Sequence, residues 1–104
     1  MMDRIARLKE FLADNPGDSF VQHALALEYI KAGDDATALA QFEALLTRDP
    51  GYVGSYYHIA KLHERNGRTE EAIRWYEAGM EKARAAGDQH AFNELRGAHE
   101  ELTF

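Results

Sequence analysis

Residues 16–50 read PGDSFVQHALALEYIKAGDDATALAQFEALLTRDP, and residues 50–84 read PGYVGSYYHIAKLHERNGRTEEAIRWYEAGMEKAR. Set one above the other, they place Pro16 over Pro50, Leu25 over Ile59, Ala26 over Ala60, Gly33 over Gly67, Ala38 over Ala72 and Phe42 over Tyr76, each pair 34 residues apart. A fixed interval of this length marks a repeated supersecondary unit that cannot bury its apolar face alone and must stack on its neighbours.

Outward from these copies, apolar residues three and four apart predict six helices. The first, about 2–14, carries Ile5, Leu8, Phe11 and Leu12 on one inward stripe and ends at Asn15-Pro16-Gly17. Ser19 with Gln22 three places on can form a capping box for a second helix running to about Ala32, where Gly33 supplies the left-handed closing turn. Asp34 or Asp35 caps a third helix to about Arg48, buried through Ala38, Leu39, Phe42, Leu45 and Leu46, and Pro50 stops it. The fourth spans Val53 to about Asn66 and closes at Gly67. Thr69 is the expected cap of the fifth, with Glu70 and Glu71 at its positive end. Arg84 stands where a third proline would recur, so this helix continues to Ala86 before Gly87-Asp88 ends it. The last, about 89–102, aligns Phe92, Leu95, His99 and Leu102 on one side.

The interval, the Ala38-x3-Phe42 and Ala72-x3-Tyr76 pairs and the closing Pro50 resemble the tetratricopeptide repeat, whose signature is W-x2-L-G-x2-Y, then A-x3-F, then Pro. The resemblance implies an all-α fold: an α-solenoid of antiparallel helix pairs, about six helices, wound as a right-handed superhelix. It divides a single 1–104 domain into a capping helix at 1–15, repeats at 17–50 and 51–86, and a terminal capping helix at 87–104. Ala26, Ala38, Ala60 and Ala72 are expected where paired helices approach closely, and Phe42 and Tyr76 between layers. Gln22 replaces the family's tryptophan, His63 a tyrosine and Gly79 the usual alanine. The last is expected to cost roughly 1 kcal/mol in helix propensity.

Composition bounds the function. A chain of 104 residues, 45% hydrophobic and 29% charged, suits one soluble globular domain burying about 65% of its unfolded surface. Cysteine is absent, which removes disulfides, thiol nucleophiles and cysteine-held metals. MMDRIARLKEFLADN contains no apolar run of signal-peptide length, and no stretch approaches a membrane span, so a cytoplasmic location and no membrane partner are expected. The net charge of −6 is uneven: two basic against six acidic side chains over 17–50, but six against five over 51–86. Such a chain lacks the concentrated positive footprint of a nucleic-acid binder. Base-reading helical repeats are typically more numerous than two.

The resemblance implies a surface for holding another protein or peptide. In this family the first helix of each pair lines a concave groove. The matching positions are Phe20, His23, Leu27, Ile30 and Lys31 in the first repeat and Gly54, Tyr57, Lys61, Glu64 and Arg65 in the second. Tyr57, Lys61 and Arg65 recur every four residues as one ridge, flanked by His58, with rigid aromatic area and cations able to pair with carboxylates. Phe20 and Leu27 would adjoin it as an apolar strip. The subgroup that grips terminal carboxylates uses a lysine and two asparagines. Here the matching places read His23, Leu27, His58 and Lys61, so that clamp is not expected. Trp75, at a position that normally looks outward, is a second contact candidate, though its long helix and the terminal cap are expected to cover the ring.

No catalytic constellation emerges. His58 and His63 point to different helix faces and lack the intervening glutamate of a zinc protease helix. His23, His90 and His99 have no neighbouring ligand set, and no phosphate loop or nucleophile elbow occurs. The expectation is therefore no enzyme, no metal and no cofactor, with a protein or peptide partner and a monomer or weak homodimer. The competing expectation is a structural module that self-associates, through Trp75 or the last helix, and leaves the groove empty.

Overall fold

A computed structural model describes residues 3–104, and every regular element among them is an α-helix: α1 Arg4–Asp14, α2 Ser19–Lys31, α3 Asp35–Arg48, α4 Gly54–Arg65, α5 Thr69–Ala86 and α6 Gln89–Thr103. Expected and observed helices agree closely; position 2, the expected start of the first, lies outside the described residues. The contacts divide the chain into an N-terminal unit ending at Asp49 and a C-terminal unit, Pro50–Phe104.

In the N-terminal unit α2 packs on α3 and on α1. Ala26, Ala38, Phe42 and Leu45 are fully buried, so the alanines sit where a larger side chain would hold the helices apart. Gly33 takes φ 83° and closes α2, and the Asp34 carboxylate accepts from the Thr37 amide to cap α3. One expected cap is corrected: Asp18, not Ser19, caps α2 by accepting from Val21 N. Ser19 and Gln22 are drawn elsewhere. The Ser19 hydroxyl donates to Asp49 at 2.7 Å, and Arg48 donates to Gln22 at 2.6 Å and to Ser19 at 3.0 Å. Gln22 also donates to Gln41 at 3.2 Å. This network ties the start of α2 to α3 at the position where the family carries tryptophan. The expected inward stripe of α1 is only partly realised: Ile5, Leu8 and Leu12 are half-buried, whereas Phe11 is 51% exposed.

In the C-terminal unit α5 packs against both α4 and α6, and α6 also touches α4. Ala60, Ala72, Ile59 and Tyr76 are fully buried. Thr69 is not the cap of α5: Arg68 holds that position without a side-chain cap hydrogen bond, pairs with Glu71 of the first turn at 3.9 Å, and donates from Nε to His63 Nδ1 at 2.8 Å, pinning the turn. Glu70 and Glu71 do occupy the first turn. Gly87, at φ 71°, ends α5, and the Asp88 carboxylate caps α6 through Ala91 N.

Gly79 has a reason beyond its helix-propensity cost. A Cβ there would come within 2.6 Å of Tyr56 Cβ and 3.0 Å of Leu95 Cδ1. The bare backbone of α5 therefore lets α4 and α6 close in from either side. Leu95 and Ala98 are the buried residues of α6, and His99 reaches α5 with Nε2 3.0 Å from the Glu77 carboxylate.

Candidate functional site

On α4 a spacing of four puts Tyr57, Lys61 and Arg65 on successive turns of one face. Tyr57 is half-buried: its ring meets Tyr76 edge-on at 6.2 Å and His58 at 5.7 Å. Lys61 Nζ lies 5.6 Å from the Tyr57 ring centroid and 3.5 Å from the Glu64 carboxylate. Glu64 in turn accepts from the Tyr76 hydroxyl at 2.9 Å. Burial, aided by that bond, pushes the Tyr76 phenol well above its usual pKa, so it stays a donor. The chain from buried Tyr76 through Glu64 and Lys61 to Tyr57 thus orders side chains that would otherwise be loose, while Lys61 keeps 38% of its side chain in solvent. Arg65 is exposed, and the ridge is not sealed by the terminal helix.

Beside Tyr57, α4 and α6 leave a pocket of about 280 Å3. Val53, Gly54, Tyr57 and His58 form the α4 side; Ala91, Glu94 and Leu95 form the α6 side. Burial lowers the His58 pKa below its ordinary value of 6.5, and the Glu94 carboxylate opposes that shift. The glycine at 54 leaves the mouth free of a side chain. Ala91, Glu94 and Leu95 were not among the residues expected from the sequence; the signal that could have found them is that Ala91 and Leu95 lie one turn apart on a helix already expected to cover a repeat end.

The first-repeat candidates lie in the other unit. Phe20 is 70% exposed at the start of α2. His23 is half-buried with its ring edge-on to Phe42 at 5.8 Å, so part of its surface serves packing. Leu27 and Ile30 are half-buried. Lys31, exposed at the end of α2, borders a depression on the α1 side with Asp3, Ile5 and Glu28, bridged by the Arg4–Glu28 ion pair at 3.4 Å.

Trp75 is half-buried, tilted against Tyr56 at 5.9 Å between centroids. It borders a depression together with Glu71, Arg74 and Ala78 of its own helix; no α6 residue lines that depression, so the expected cover from the terminal helix is not seen there. Among the described residues no group of three histidine, aspartate or glutamate side chains could hold a metal ion, and no helix is long and apolar enough to cross a membrane.

A family model described as tetratricopeptide repeat matches residues 29–96. Among solved structures, a tetratricopeptide repeat domain protein from Salinibacter ruber is similar in two determinations. The solution structure shares 46% identity with TM-score 0.81, over 84% of this chain and 88% of that one. The crystal structure shares 45% identity with TM-score 0.79, over 83% and 97%. A solution structure of a Bordetella parapertussis protein shares 25% identity with TM-score 0.84, over 99% of this chain and 90% of that one. No protein among the curated ones matches.

Proposed function

The chain belongs to the tetratricopeptide repeat family, and we propose that it is a protein-interaction module whose contact surface is the α4 face of Tyr57, Lys61 and Arg65 together with the adjoining α4–α6 pocket. Repeats of this kind serve protein interaction or scaffolding generally, and the family is typically not enzymatic. The observation that carries the reading is the preordered ridge: Tyr57 is braced by Tyr76, and Lys61 is held by Glu64 over the Tyr57 ring, beside an open pocket. Side chains ordered before binding lose less conformational entropy when a partner arrives. Tyrosine and arginine are also, with tryptophan, enriched among the residues that dominate protein contacts. A peptide laid along this face would set its backbone against Tyr57 and its acidic side chains toward Lys61 and Arg65.

Affinity capture from the native cell, repeated with Tyr57→Ala and Lys61→Glu, tests the surface. Both variants are expected to lose the retained partner; recovery equal to wild type for every partner refutes the assignment. The competing reading, self-association through the Trp75 surface, rests on that half-buried ring beside its depression. It requires a mass that rises with concentration in light scattering and falls back in Trp75→Ala.

A further inference from the structure

The pocket between α4 and α6 differs in charge from the ridge beside it. Its walls are the rings of Tyr57 and His58 and the aliphatic side chains of Val53 and Leu95, and its single carboxylate is Glu94. No lysine or arginine lines it. Lys61, one turn along α4, lies outside the pocket, near Glu64 and the Tyr57 ring and with 38% of its side chain in solvent. Burial holds His58 toward its neutral form, so at neutral pH the wall carries negative charge only. His90 approaches Glu94 at 3.6 Å and is 87% exposed; the Glu94 side chain itself is 59% exposed, open to a ligand. Aromatic faces are electron-rich and attract cations, and a carboxylate gives a cation its strongest hydrogen bond. The volume of about 280 Å3 lies just below the range of about 300–1,000 Å3 that holds whole small ligands, which suits one long side chain.

We infer that this pocket receives a lysine or arginine side chain of the partner peptide, its aliphatic stem against Val53 and Leu95 and its cationic head on the Glu94 carboxylate. The inference rests on the peptide-binding reading above and adds the partner's chemistry. Charge complementarity extends beyond the pocket: the chain's net charge of −6 favours approach of a basic segment. Lys61 stands one helical turn from Tyr57, about 6 Å along the axis. An extended peptide advances about 3.3 Å per residue. An acidic residue two places from the basic one would therefore reach Lys61, so the recognised segment carries one basic and one acidic side chain on the same face, two residues apart.

Selection of random decapeptides on the full chain, followed by affinity measurement of the selected peptides, tests this. The expected result is enrichment of lysine or arginine at one aligned position, with an acidic residue two places away. Glu94→Gln should weaken those peptides roughly 10-fold or more. Selection on Glu94→Lys should exchange the basic position for aspartate or glutamate. Glu100→Lys makes the same charge change elsewhere on α6, where Glu100 faces Arg96 at 3.7 Å, and should select the original peptides. Peptides that need Tyr57 and Lys61 but have an apolar residue or no preference at the aligned position overturn the pocket inference alone. So does unchanged affinity in Glu94→Gln. If nothing is selected, or the selected peptides ignore Tyr57→Ala and Lys61→Glu, the peptide-binding reading fails and takes the inference with it.

Discussion

The two repeats meet the same geometric demands with different chemistry. At positions 22 and 41, α2 and α3 are joined by two glutamine amides at 3.2 Å; 34 residues on, Tyr56 and Trp75 join α4 and α5 as tilted rings. His23 lies edge-on to Phe42, and Tyr57 lies edge-on to Tyr76 at the matching places. Leu45 fills the first unit's interior where Gly79 leaves room for Tyr56 and Leu95 in the second. Aspartates cap both repeat helices of the first unit, while α4 and α5 start without a side-chain cap. The repeat thus preserves which positions touch and lets their chemistry vary. The second unit spends its variation on aromatic residues and on a hydrogen-bonded tyrosine whose chain of contacts ends at the surface.

The comparison is broken most forcefully at its shared centre. Phe42→Ala and Tyr76→Ala should each cost about 3–5 kcal/mol in chemical denaturation, because both side chains are fully buried. A loss below about 1 kcal/mol at either site would show that the two positions are not equivalent in packing. Next comes Gly79→Ala. Overpacking costs about 1–3 kcal/mol, against about 1 kcal/mol gained in helix propensity. The net expectation is a loss of up to about 2 kcal/mol in the same denaturation experiment, and a gain in stability would remove the close approach as the reason for glycine. Asp34→Ala should cost about 1 kcal/mol through the lost cap. Arg68, the equivalent residue, makes no cap hydrogen bond and only a 3.9 Å ion pair to Glu71, so Arg68→Ala should perturb the start of α5 in amide exchange less than Asp34→Ala perturbs that of α3, while removing the hydrogen bond to His63.

The smallest effect is titration. His58 has its pKa lowered by burial in the second unit, and its counterpart, Ala24, cannot titrate. The unfolded chain takes up the His58 proton near pH 6.5, whereas the folded chain does so only at lower pH. Between those values the unfolded state binds more protons, so this contribution is present above pH 6.5 and is lost as the pH falls. Melting curves from about pH 7.5 to about pH 5 should show a shallower decline in His58→Gln than in wild type. Parallel declines would mean that the ring is not held neutral.

Much of this architecture was legible from local rules. The interval, the turn glycines at 33, 67 and 87, the Asp34 cap and the extension of α5 past Arg84 all follow from backbone conformation and helix-end chemistry, which act over a few residues. What escaped depends on partners distant in sequence. Ser19 looked like a cap because its position suits one, yet Asp49 and Arg48 draw its hydroxyl into the α2–α3 network, and Asp18 takes the role. Gly79 read as a cost because its reward, the room it leaves for Tyr56 and Leu95 where a Cβ would meet them at 2.6 and 3.0 Å, comes from α4 and α6. The α6 wall of the pocket was invisible for a related reason: α6 lies one interval beyond α4, but its buried Leu95 and Ala98 fall opposite Lys61 and Glu64, which are not buried, so the interval of 34 does not transfer its facing. Tyr57, Lys61 and His58 were found as neighbours, whereas Glu94, which sets the pocket's charge, was not.

The most direct test follows backbone amide resonances of the isotope-labelled chain during titration with a peptide obtained by the selection described above. Shifts concentrated at residues 54–65 and 91–95 are predicted. Shifts confined to Glu71, Arg74, Trp75 and Ala78, with α4 unmoved, would contradict the assignment of the binding face.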